Sequence, residues 1–377
     1  MIFKSFGDLQ LSALGMGCMR LPCKAGGNAD IDVEATREMV AYAMAHGVNY
    51  YDTAWGYHGG KSEPVMGEIL SAYPRESFYL ATKFPGYDLA NMGKVKEIFP
   101  AQLARCRTPY FDFYLFHNLN EGNIDEYLNP ENGILPYLLE RKKEGKIKHL
   151  GFSAHGKIET MRRFLDAYGA HMEFCQIQLN WLDYHFQDAR GKLALLAEYN
   201  LPVFVMEPVR GGRLAVLSDE YEKRLQAHRP TATAPEWAFR FLQSLPQVVM
   251  TLSGMSNFAQ LRENIATYAE EKPLDGVEMQ LLFDIAEEMT AKTKLPCTAC
   301  GYCLSKCVQE LDIPWLISLY NEKLYSGGGF ISEMALRALP EEKRPSACLA
   351  CRACETVCPQ NIEIHKMMAD FAARVRK

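Results

Sequence analysis

The sequence predicts an α/β protein in two parts: a parallel (β/α)8 TIM barrel over residues 1–272 and a small α-rich domain over residues 297–377. A helix and linker over residues 273–296 are expected to join them. Eight short apolar runs alternate with longer stretches of helical spacing, the pattern of a parallel barrel. Near the C-terminus, eight of the chain's twelve cysteines fall in two runs of identical spacing. A length of 377 residues is sufficient for one large core and a smaller appendage.

Each barrel strand is predicted from a short run rich in β-branched, aromatic or other apolar residues. The first intervening helix is predicted over Asp32–His46, because Asp32 can cap its N-terminus and Gly47 can end it. Eight such units in about 250 residues favour a closed barrel over an open, doubly wound sheet. The predicted strands are Ala13–Met16, Val48–Asp52, Phe78–Lys83, Phe111–His117, Ile147–Ser153, Phe174–Leu179, Val203–Met206 and Val248–Ser253.

Four further segments complete the predicted organisation. A hairpin of Ile2–Phe6 and Leu9–Leu11 is expected to close the barrel floor. After the eighth unit, a helix is predicted over Glu278–Thr290, followed by a linker over Lys292–Pro296. The triplet Gly327–Gly329 lies between the cysteine runs and predicts a mobile loop, because glycine leaves the backbone flexible.

Composition limits the classes of function. The net charge of −5, without a basic block, argues against a nucleic-acid partner. No apolar run approaches the roughly 18 residues of a membrane span, so we expect a soluble protein. The N-terminal residues MIFKSFGDLQ have no basic segment followed by an apolar stretch, as a signal peptide would require. We therefore expect a cytoplasmic protein.

The two cysteine runs place three cysteines at i, i+3 and i+6 and a fourth four residues later. Four thiolates hold one iron–sulfur cube, and three at this spacing can wrap one loop around it. Disulfides would need an oxidising compartment, and zinc ribbons have no use for a third cysteine at i+6. The runs are Cys297, Cys300, Cys303, Cys307 and Cys348, Cys351, Cys354, Cys358.

These runs resemble the ligand pattern of two-cluster ferredoxins, in which the last cysteine of each run ligates the other cluster. Pro359 follows the second run as in that pattern, whereas Val308 follows the first. The resemblance implies two [4Fe-4S] clusters and an exchange of the fourth ligand. One cluster would be held by Cys297, Cys300, Cys303 and Cys358, and the other by Cys348, Cys351, Cys354 and Cys307.

Four polar residues stand at or just after successive predicted strand ends, where (β/α)8 barrels place their chemistry. They are Asp52, Tyr57, Lys83 and His117, in the segments YYDTAWGY, YLATKF and YLFHN. Singly, such an Asp is usually a helix cap and such a His a packed core residue. Together, their order and flanking residues resemble the aldo/keto reductase family over residues 1 to about 270. With the cysteine runs, the chain is similar to the iron–sulfur-containing branch of that family, with a C-terminal ferredoxin-like domain.

The resemblance implies an oxidoreductase that interconverts a carbonyl and an alcohol by hydride transfer. An alkoxide formed from a carbonyl must be protonated, and Tyr57 would supply the proton. A tyrosine has an ordinary pKa near 10, so its phenolate needs stabilisation, which Lys83 would give. Asp52 would keep Lys83 charged and in place, and a neutral His117 would orient the carbonyl.

The resemblance also implies a nicotinamide cofactor, NADH or NADPH. Ser153 and Gln176 would contact its carboxamide, and Met206 replaces the tyrosine that often stacks on the ring. The segment after the eighth strand would bind phosphate at a helix N-terminus, and the following helix would reach the adenosine. Further contacts are implied at Gly17, Cys18, Met19, Ser253, Gly254, Ser256, Gln260 and Asn264.

The choice between NAD and NADP depends on basic residues that pair with the 2′-phosphate. Gly254 and Gln260 stand where the family often has Lys and Arg, and only Arg262 lies nearby. We therefore expect weak selection for that phosphate. A small carbonyl or alcohol substrate would be lined by aromatic residues of the predicted loops, which fits an apolar or ring-bearing molecule. The expected wall is Met19, Trp55, Tyr87, Trp181 and Tyr184.

Two functions remain open for the ferredoxin-like part. A hydride carries two electrons and each cube passes one, so direct exchange between nicotinamide and clusters would normally need a flavin. The clusters could instead serve structure, redox sensing or an electron-transfer protein partner. In the alternative function, the ferredoxin-like part is the working module and the barrel is a docking or regulatory platform. The complete Asp52, Tyr57, Lys83 and His117 set favours the enzyme.

Overall fold

A computed structural model describes residues 1–24, 29–291, 295–297, 300–327, 330–358 and 360–375. The chain divides into two compact units. The first comprises Met1–Leu119 and Ile124–Ile285, and the second comprises Asn120–Asn123 and Ala286–Lys377. Most of the predicted linker, residues 292–294, and two glycines of the predicted loop, residues 328 and 329, lie outside the described residues.

The first unit begins with an antiparallel hairpin of β1 (Phe3–Phe6) and β2 (Leu9–Ser12). Phe6 at its turn is buried and meets the rings of Phe113 and Phe204 with centroids 5.3 and 5.7 Å away. These residues belong to one core cluster that also holds Tyr50, Phe174 and Met250. The hairpin therefore closes one end of the barrel, as predicted.

Eight strands follow, all predicted from the sequence to within two residues at either end. Strands buried on both faces read as continuous apolar runs, which is why the pattern located them. They are β3 (Leu14–Gly17), β4 (Tyr50–Asp52), β5 (Tyr79–Phe84), β6 (Phe111–Leu119), β7 (Ile147–Ala154), β8 (Phe174–Gln178), β9 (Val203–Met206) and β10 (Val248–Ser253). They form a closed parallel barrel in chain order, with β10 paired to β3. The predicted (β/α)8 barrel is confirmed.

Helices alternate with the barrel strands along the chain, and two further helices follow the last strand. The first begins after Asp32, whose carboxylate accepts a hydrogen bond from the Ala35 amide at 3.1 Å, as the sequence predicted. The helices are α1 (Val33–Ala45), α2 (Ser62–Leu70), α3 (Val95–Arg105), α4 (Ile124–Leu128), α5 (Ile134–Lys143), α6 (Ile158–Tyr168), α7 (Asp183–Phe186), α8 (Ala189–Glu198), α9 (Asp219–His228), α10 (Ala234–Gln243), α11 (Phe258–Thr267) and α12 (Gly276–Ala291).

The second unit is rich in helix, as predicted. Its helices are α13 (Ile313–Ser326), α14 (Phe330–Arg337) and α15 (Ile364–Val375). Leu316, Ile317, Met368 and Phe371 are buried in one core cluster that also includes Cys303 and Cys354. Burying cysteines within that core fixes the loops that carry them. In the part of the chain described, no helix has the length and hydropathy needed to cross a membrane.

Candidate active site and cysteine centres

Four side chains meet at the C-terminal ends of β4, β5 and β6. Lys83 Nζ donates to Asp52 Oδ1 at 2.6 Å and to the Thr53 carbonyl at 2.8 Å. The same ammonium lies 5.0 Å from the centroid of the Tyr57 ring. The ring of His117 meets that of Tyr57 edge-on, with centroids 6.0 Å apart. The structure thus brings together all four side chains that the sequence placed at strand ends.

The Lys83–Asp52 pair is buried, and this determines its charge. Burial acts to lower the pKa of Lys83, but the Asp52 carboxylate and Tyr57 outweigh it, so the pKa is raised and the ammonium is kept. Burial raises the pKa of Asp52, and Lys83 opposes that rise. Each partner therefore depends on the other to remain charged away from water.

Tyr57 is subject to two opposing effects. Burial raises the pKa of its phenol, while the charge of Lys83 and a hydrogen bond with it lower the pKa. Burial is the larger effect, and the pKa rises from 10.0 to about 12. Lys83 thus acts in the predicted direction without bringing the phenol below its ordinary value. The phenol is accordingly protonated at neutral pH, as a proton donor must be.

His117 is neutral in this site. Burial, together with Lys83 and His155, lowers the pKa of its imidazole well below the ordinary 6.5. Its Nδ1 is buried without a hydrogen-bond partner among the described residues, and its backbone carbonyl accepts from the Tyr127 hydroxyl at 2.7 Å. The Tyr87 ring packs edge-on against the imidazole, with the two ring centroids 5.1 Å apart. A neutral, held imidazole suits a hydrogen bond to a carbonyl, as predicted.

The loop that carries Tyr57 is held by a residue that the sequence analysis missed. Arg105, at the end of α3, stacks its guanidinium 4.2 Å from the Trp55 ring and donates to the Trp55 carbonyl at 3.2 Å. It also donates to the Gly60 carbonyl, and its Nε lies 3.0 Å from Oε2 of the buried Glu63. Arg105 therefore fixes both ends of the loop. No local motif in the sequence marks a helical arginine for this role.

Three predicted cofactor contacts lie at the ends of β7, β8 and β9. Ser153 is buried, and its Oγ accepts from the Asn118 amide at 2.8 Å. Gln176 is buried with its Nε2 3.8 Å from Met206 Sδ. Its Oε1 has no hydrogen-bond partner among the described residues. Nearly all buried polar atoms in folded proteins have a hydrogen-bond partner. A buried oxygen that accepts no hydrogen bond from the protein therefore fits the amide N–H of a nicotinamide carboxamide.

Several residues after β10 that were predicted to contact the cofactor already make hydrogen bonds to other residues of the protein. Ser253 Oγ accepts from Asn264 Nδ2 at 3.0 Å. The Ser256 amide donates to Gln260 Oε1 at 2.8 Å, and its hydroxyl donates to the Arg20 carbonyl at 3.0 Å. These bonds shape the N-terminus of α11, where a phosphate is expected.

Arg262, which was considered for the 2′-phosphate, is turned toward aromatic rings. Its guanidinium lies 4.8 Å from the Phe258 centroid and 5.7 Å from that of Tyr42. Such stacking competes with a salt bridge to phosphate.

A second arginine, which the sequence analysis also missed, spans the loops after β9 and β10. The stem of Arg20 covers Gly254, where a Cβ would lie 3.1 Å from Arg20 Cβ. Its Nη2 lies 3.1 Å from the place of a Cβ on Gly211 and 3.8 Å from Glu207 Oε1. Gly211 has a φ of +65°, so glycine lets the loop approach the guanidinium. The Arg20 guanidinium is thereby held between the loops that follow β9 and β10.

The remaining predicted contacts follow β3. Gly17 passes close to β10, since a Cβ there would lie 3.4 Å from the Ser253 carbonyl. Cys18 is buried, its amide donates to the Asp52 carbonyl at 2.8 Å, and burial raises the pKa of its thiol. Met19 is exposed. Cys18 therefore supports the active site from below, while Met19 reaches the surface.

The predicted pocket wall is divided among three environments. Trp55 and Tyr87 line an open cavity together with Asp88, Asn91 and Arg105. Trp181 is buried, and its Nε1 has no partner among the described residues. Tyr184 stacks on Phe283 of α12 with centroids 5.3 Å apart. Trp55 and Tyr87 are thus the pair placed to meet a molecule from solvent.

The eight cysteines of the second unit line two cavities, four to each. Each cavity takes three cysteines from one run and one from the other, the exchange implied by the ferredoxin pattern. No disulfide joins the described cysteines. The first cavity has Cys297, Cys300, Cys303 and Cys358, and the second cavity has Cys307, Cys348, Cys351 and Cys354.

Burial keeps the innermost cysteine of each group as a thiol. The pKa of Cys303 rises to about 11 through burial and the nearby cysteines of its cavity, and that of Cys354 rises to about 11 through burial and Glu355. Ligation needs thiolates, so loading of either cavity would release protons. Among the described residues, no three His, Cys, Asp or Glu side chains converge as a single metal ion would require.

Comparison with known proteins agrees with this geometry. Residues 13–287 match the model of the aldo/keto reductase family. The chain belongs to that family. Residues 294–362 match a 4Fe-4S dicluster domain. This aldo/keto reductase is 27% identical to the uncharacterized oxidoreductase YqkF of Bacillus subtilis, over 68% of this chain and 87% of that protein.

Two further relatives extend the likeness. The NADH-specific methylglyoxal reductase of Escherichia coli is 24% identical over 75% of this chain and 97% of its own length. The holo form of the aldo-keto reductase AKR11C1 from Bacillus halodurans has a TM-score of 0.61 and 26% identity, covering 76% of this chain and 96% of that chain. The predicted family, barrel and C-terminal 4Fe-4S domain are thus confirmed, and this aldo/keto reductase is an oxidoreductase.

Proposed function

We propose that this aldo/keto reductase interconverts a small carbonyl compound and its alcohol by hydride transfer with NADH or NADPH, with Tyr57 as acid and base. The observation that carries the proposal is the buried Lys83–Asp52 ion pair beside the Tyr57 phenol, with a neutral His117 opposite. A docking platform would have no need to bury such a pair at this cost. The nicotinamide supplies the hydride when bound.

The side chains divide the proton chemistry among them. Tyr57 Oη and His117 hydrogen-bond to the substrate oxygen and orient it. As negative charge develops on that oxygen, the proton of Tyr57 passes to it. Lys83 stabilises the phenolate left behind, and Asp52 keeps Lys83 charged. In alcohol oxidation the phenolate takes the proton back.

The cofactor would lie across the ends of β7 to β10. Ser153 and Gln176 would hold the carboxamide, with Gln176 Oε1, which has no partner among the described residues, free to accept an amide N–H. Met206 would pack its thioether on the nicotinamide ring. Arg20 would meet the diphosphate, because its stem covers Gly254 and its guanidinium lies over Gly211, 3.8 Å from Glu207 Oε1.

Selection for the 2′-phosphate is proposed to be weak. Gln260 carries no charge and is bonded to the Ser256 amide, and the Arg262 guanidinium is stacked on Phe258, so neither side chain pairs readily with the phosphate. The name of the Escherichia coli relative, an NADH-specific reductase, supports an NADH-using member of this kind. A fluorescence titration should give dissociation constants for NADH and NADPH within about tenfold of each other. Binding of NADPH a hundredfold tighter than NADH would overturn this.

Tyr57→Phe tests the catalytic proposal, with Tyr87→Phe as the matched control because both rings pack against His117. A panel of small aldehydes that includes methylglyoxal, named for the Escherichia coli relative, serves as the probe. We expect Tyr57→Phe to lower kcat by about 10²–10⁴-fold with cofactor binding unchanged. Tyr87→Phe should stay within a few-fold of wild type. Near wild-type reduction by Tyr57→Phe would refute the assignment.

We propose that the two cavities hold two [4Fe-4S] clusters. The eight cysteines line the two cavities in groups of four, each with three cysteines from one run and one from the other, and this supports the proposal. Cysteines must stay in the reduced thiol form to bind iron, and the reducing cytoplasm keeps them in that form. Anaerobically purified protein should contain about eight iron and eight sulfide per chain.

Cysteine substitutions test the exchange. Cys307→Ser and Cys354→Ser lie in different runs but line the same cavity, so they should remove the same electron paramagnetic resonance signal. Cys303→Ser should remove the other signal. Cys23→Ser, outside both cavities, is the control. If Cys307→Ser and Cys303→Ser remove the same signal, each run holds its own cluster and the exchange is wrong.

The clusters are proposed to exchange single electrons with a separate protein. A hydride delivers two electrons and a cube accepts one, and the sequence has no flavin motif that would couple them. The barrel chemistry derived above uses only side chains and nicotinamide, so it needs no electron from iron.

A further inference from the structure

The two cysteine-lined cavities differ in charge. The cations Lys306 and Arg352 line the second cavity together with His365, and no carboxylate of the described residues lines it, although Glu355 beside it pairs with both Arg352 and His365. The first cavity is lined by uncharged side chains throughout its described part. The Leu311 amide also donates to Cys307 Sγ in the second group at 3.3 Å. Positive charge and hydrogen bonds to sulfur both favour the reduced state of an iron–sulfur centre.

Exposed apolar side chains border the second cavity as well. Val308 is 70% exposed and Leu349 is 62% exposed, and both line it. Cys351, one of its four cysteines, is also exposed. Val308 stands where the ferredoxin pattern places a proline. Large aliphatic side chains held in solvent beside a redox centre are typical of an interaction surface.

The basic residues keep their charge available. Lys306 makes no ion pair within the described part of the chain, and it is exposed. Arg352 pairs with Glu355 at 3.0 Å but leaves 64% of its side chain exposed. The nearby Glu310 is bound to Lys343 at 3.0 Å. A basic and apolar surface therefore surrounds the second cavity in a chain whose net charge is −5.

We propose that Lys306, Val308, Leu349 and Arg352, the second-cavity rim, form the docking surface for a small acidic protein that carries a one-electron redox centre. This rests on the proposed function, in which the cysteines hold clusters. In the exchange, the reduced carrier loses one electron and the cluster bound by the second cavity gains it. No bond or proton moves. Charge complementarity steers such short-lived complexes, whose interfaces are small.

Binding tests the surface apart from turnover. The probe is an acidic plant-type [2Fe-2S] ferredoxin in which gallium replaces iron, so that it binds without exchanging electrons. It is titrated calorimetrically into the full-length, cluster-loaded protein at low and moderate salt. We expect Lys306→Glu/Arg352→Glu to weaken binding by about tenfold or more and to reduce its salt dependence. Arg337→Glu, an exposed charge reversal on α14 away from both cavities, should bind as wild type.

The apolar half is tested by a matched pair. Leu349→Ser removes an aliphatic side chain at the second cavity, and Tyr302→Ser removes an aromatic side chain of similar exposure, 63%, in the first cysteine run. Leu349→Ser should weaken binding and Tyr302→Ser should not. Equal binding by the charge-reversed variant, or a larger loss in Tyr302→Ser, would overturn the surface.

Iron and sulfide are measured in every sample. A chain that assembles no cluster refutes both the proposed clusters and the docking. A loaded chain that does not bind the ferredoxin, or that binds a basic cytochrome more tightly, refutes the docking alone.

Discussion

Asp52→Asn removes the counter-charge of a lysine that has no access to solvent. Lys83 Nζ would keep the Thr53 carbonyl at 2.8 Å but lose the carboxylate at 2.6 Å. Breaking one side of a buried pair costs about 3–5 kcal/mol. Lys83 could instead lose its proton. From its ordinary pKa of 10.5, this costs about 5 kcal/mol at pH 7, at about 1.4 kcal/mol per pH unit. Both routes predict a loss of about 3–5 kcal/mol in the free energy of unfolding.

Urea denaturation and aldehyde reduction are measured on the same preparations. Asp112→Asn is the matched control, because Asp112 is also a buried carboxylate in an ion pair, 2.5 Å from Arg75, but at the start of β6. It should lose stability and keep kcat. Asp52→Asn should lose stability and also about a hundredfold or more in kcat, since an uncharged or displaced Lys83 no longer stabilises the Tyr57 phenolate.

The double variant Asp52→Asn/Lys83→Met separates the two effects. It removes the stranded charge, so part of the lost stability should return while activity does not. Stability no higher than that of Asp52→Asn would show that the unpaired ammonium is not the cause. Reduction by Asp52→Asn at the wild-type rate would refute the account of Lys83.

Three further predictions concern single side chains. Arg105→Ala should lower kcat about tenfold with little change in cofactor affinity, because the loop that carries Tyr57 loses its support. Arg105→Lys should not restore kcat, since an ammonium lacks the planar guanidinium that stacks on Trp55 and spans the Trp55 and Gly60 carbonyls; an unchanged kcat in Arg105→Ala would contradict this. The kcat/KM for reduction should be flat from pH 8 to pH 6, because burial holds the pKa of His117 well below 6.5, so a break near pH 6.5 would contradict a neutral His117. Arg20→Ala should weaken NADH and NADPH equally, about tenfold, in a fluorescence titration, and a loss confined to NADPH would assign Arg20 to the 2′-phosphate instead.

The fold was predictable because a parallel barrel buries both faces of every strand. Most positions of the eight runs are apolar, and a polar residue at the end of a run is conspicuous, as at Asp52 and Lys83. Strand ends differ by a residue or two from prediction, since hydrogen-bond pairing decides them and apolar character does not. At β6, for example, pairing continues to Leu119, beyond His117.

Two kinds of information were not local and escaped the sequence analysis. Arg105 and Arg20 act on loops distant in the chain, so no spacing marks them. The pKa of Tyr57 depends on the balance of burial and Lys83, which residue identities alone do not give. The two cysteine runs were foreseen because their repeated spacing is local, and the exchange of the fourth cysteine was implied by the resemblance to two-cluster ferredoxins. The charge difference between the cavities was not, since Lys306 beside the first run and Arg352 within the second meet at one cavity only in the folded chain.

Anaerobic stopped-flow mixing tests the central claim most directly. Cluster-loaded protein is mixed with NADH and the aldehyde probe, and nicotinamide fluorescence and cluster absorbance are followed in the same reaction. The account predicts that nicotinamide is oxidised at the turnover rate while cluster absorbance stays constant, because the hydride goes to the carbonyl and its proton comes from Tyr57. Bleaching of the clusters by NADH at or above that rate, without added flavin, would contradict it.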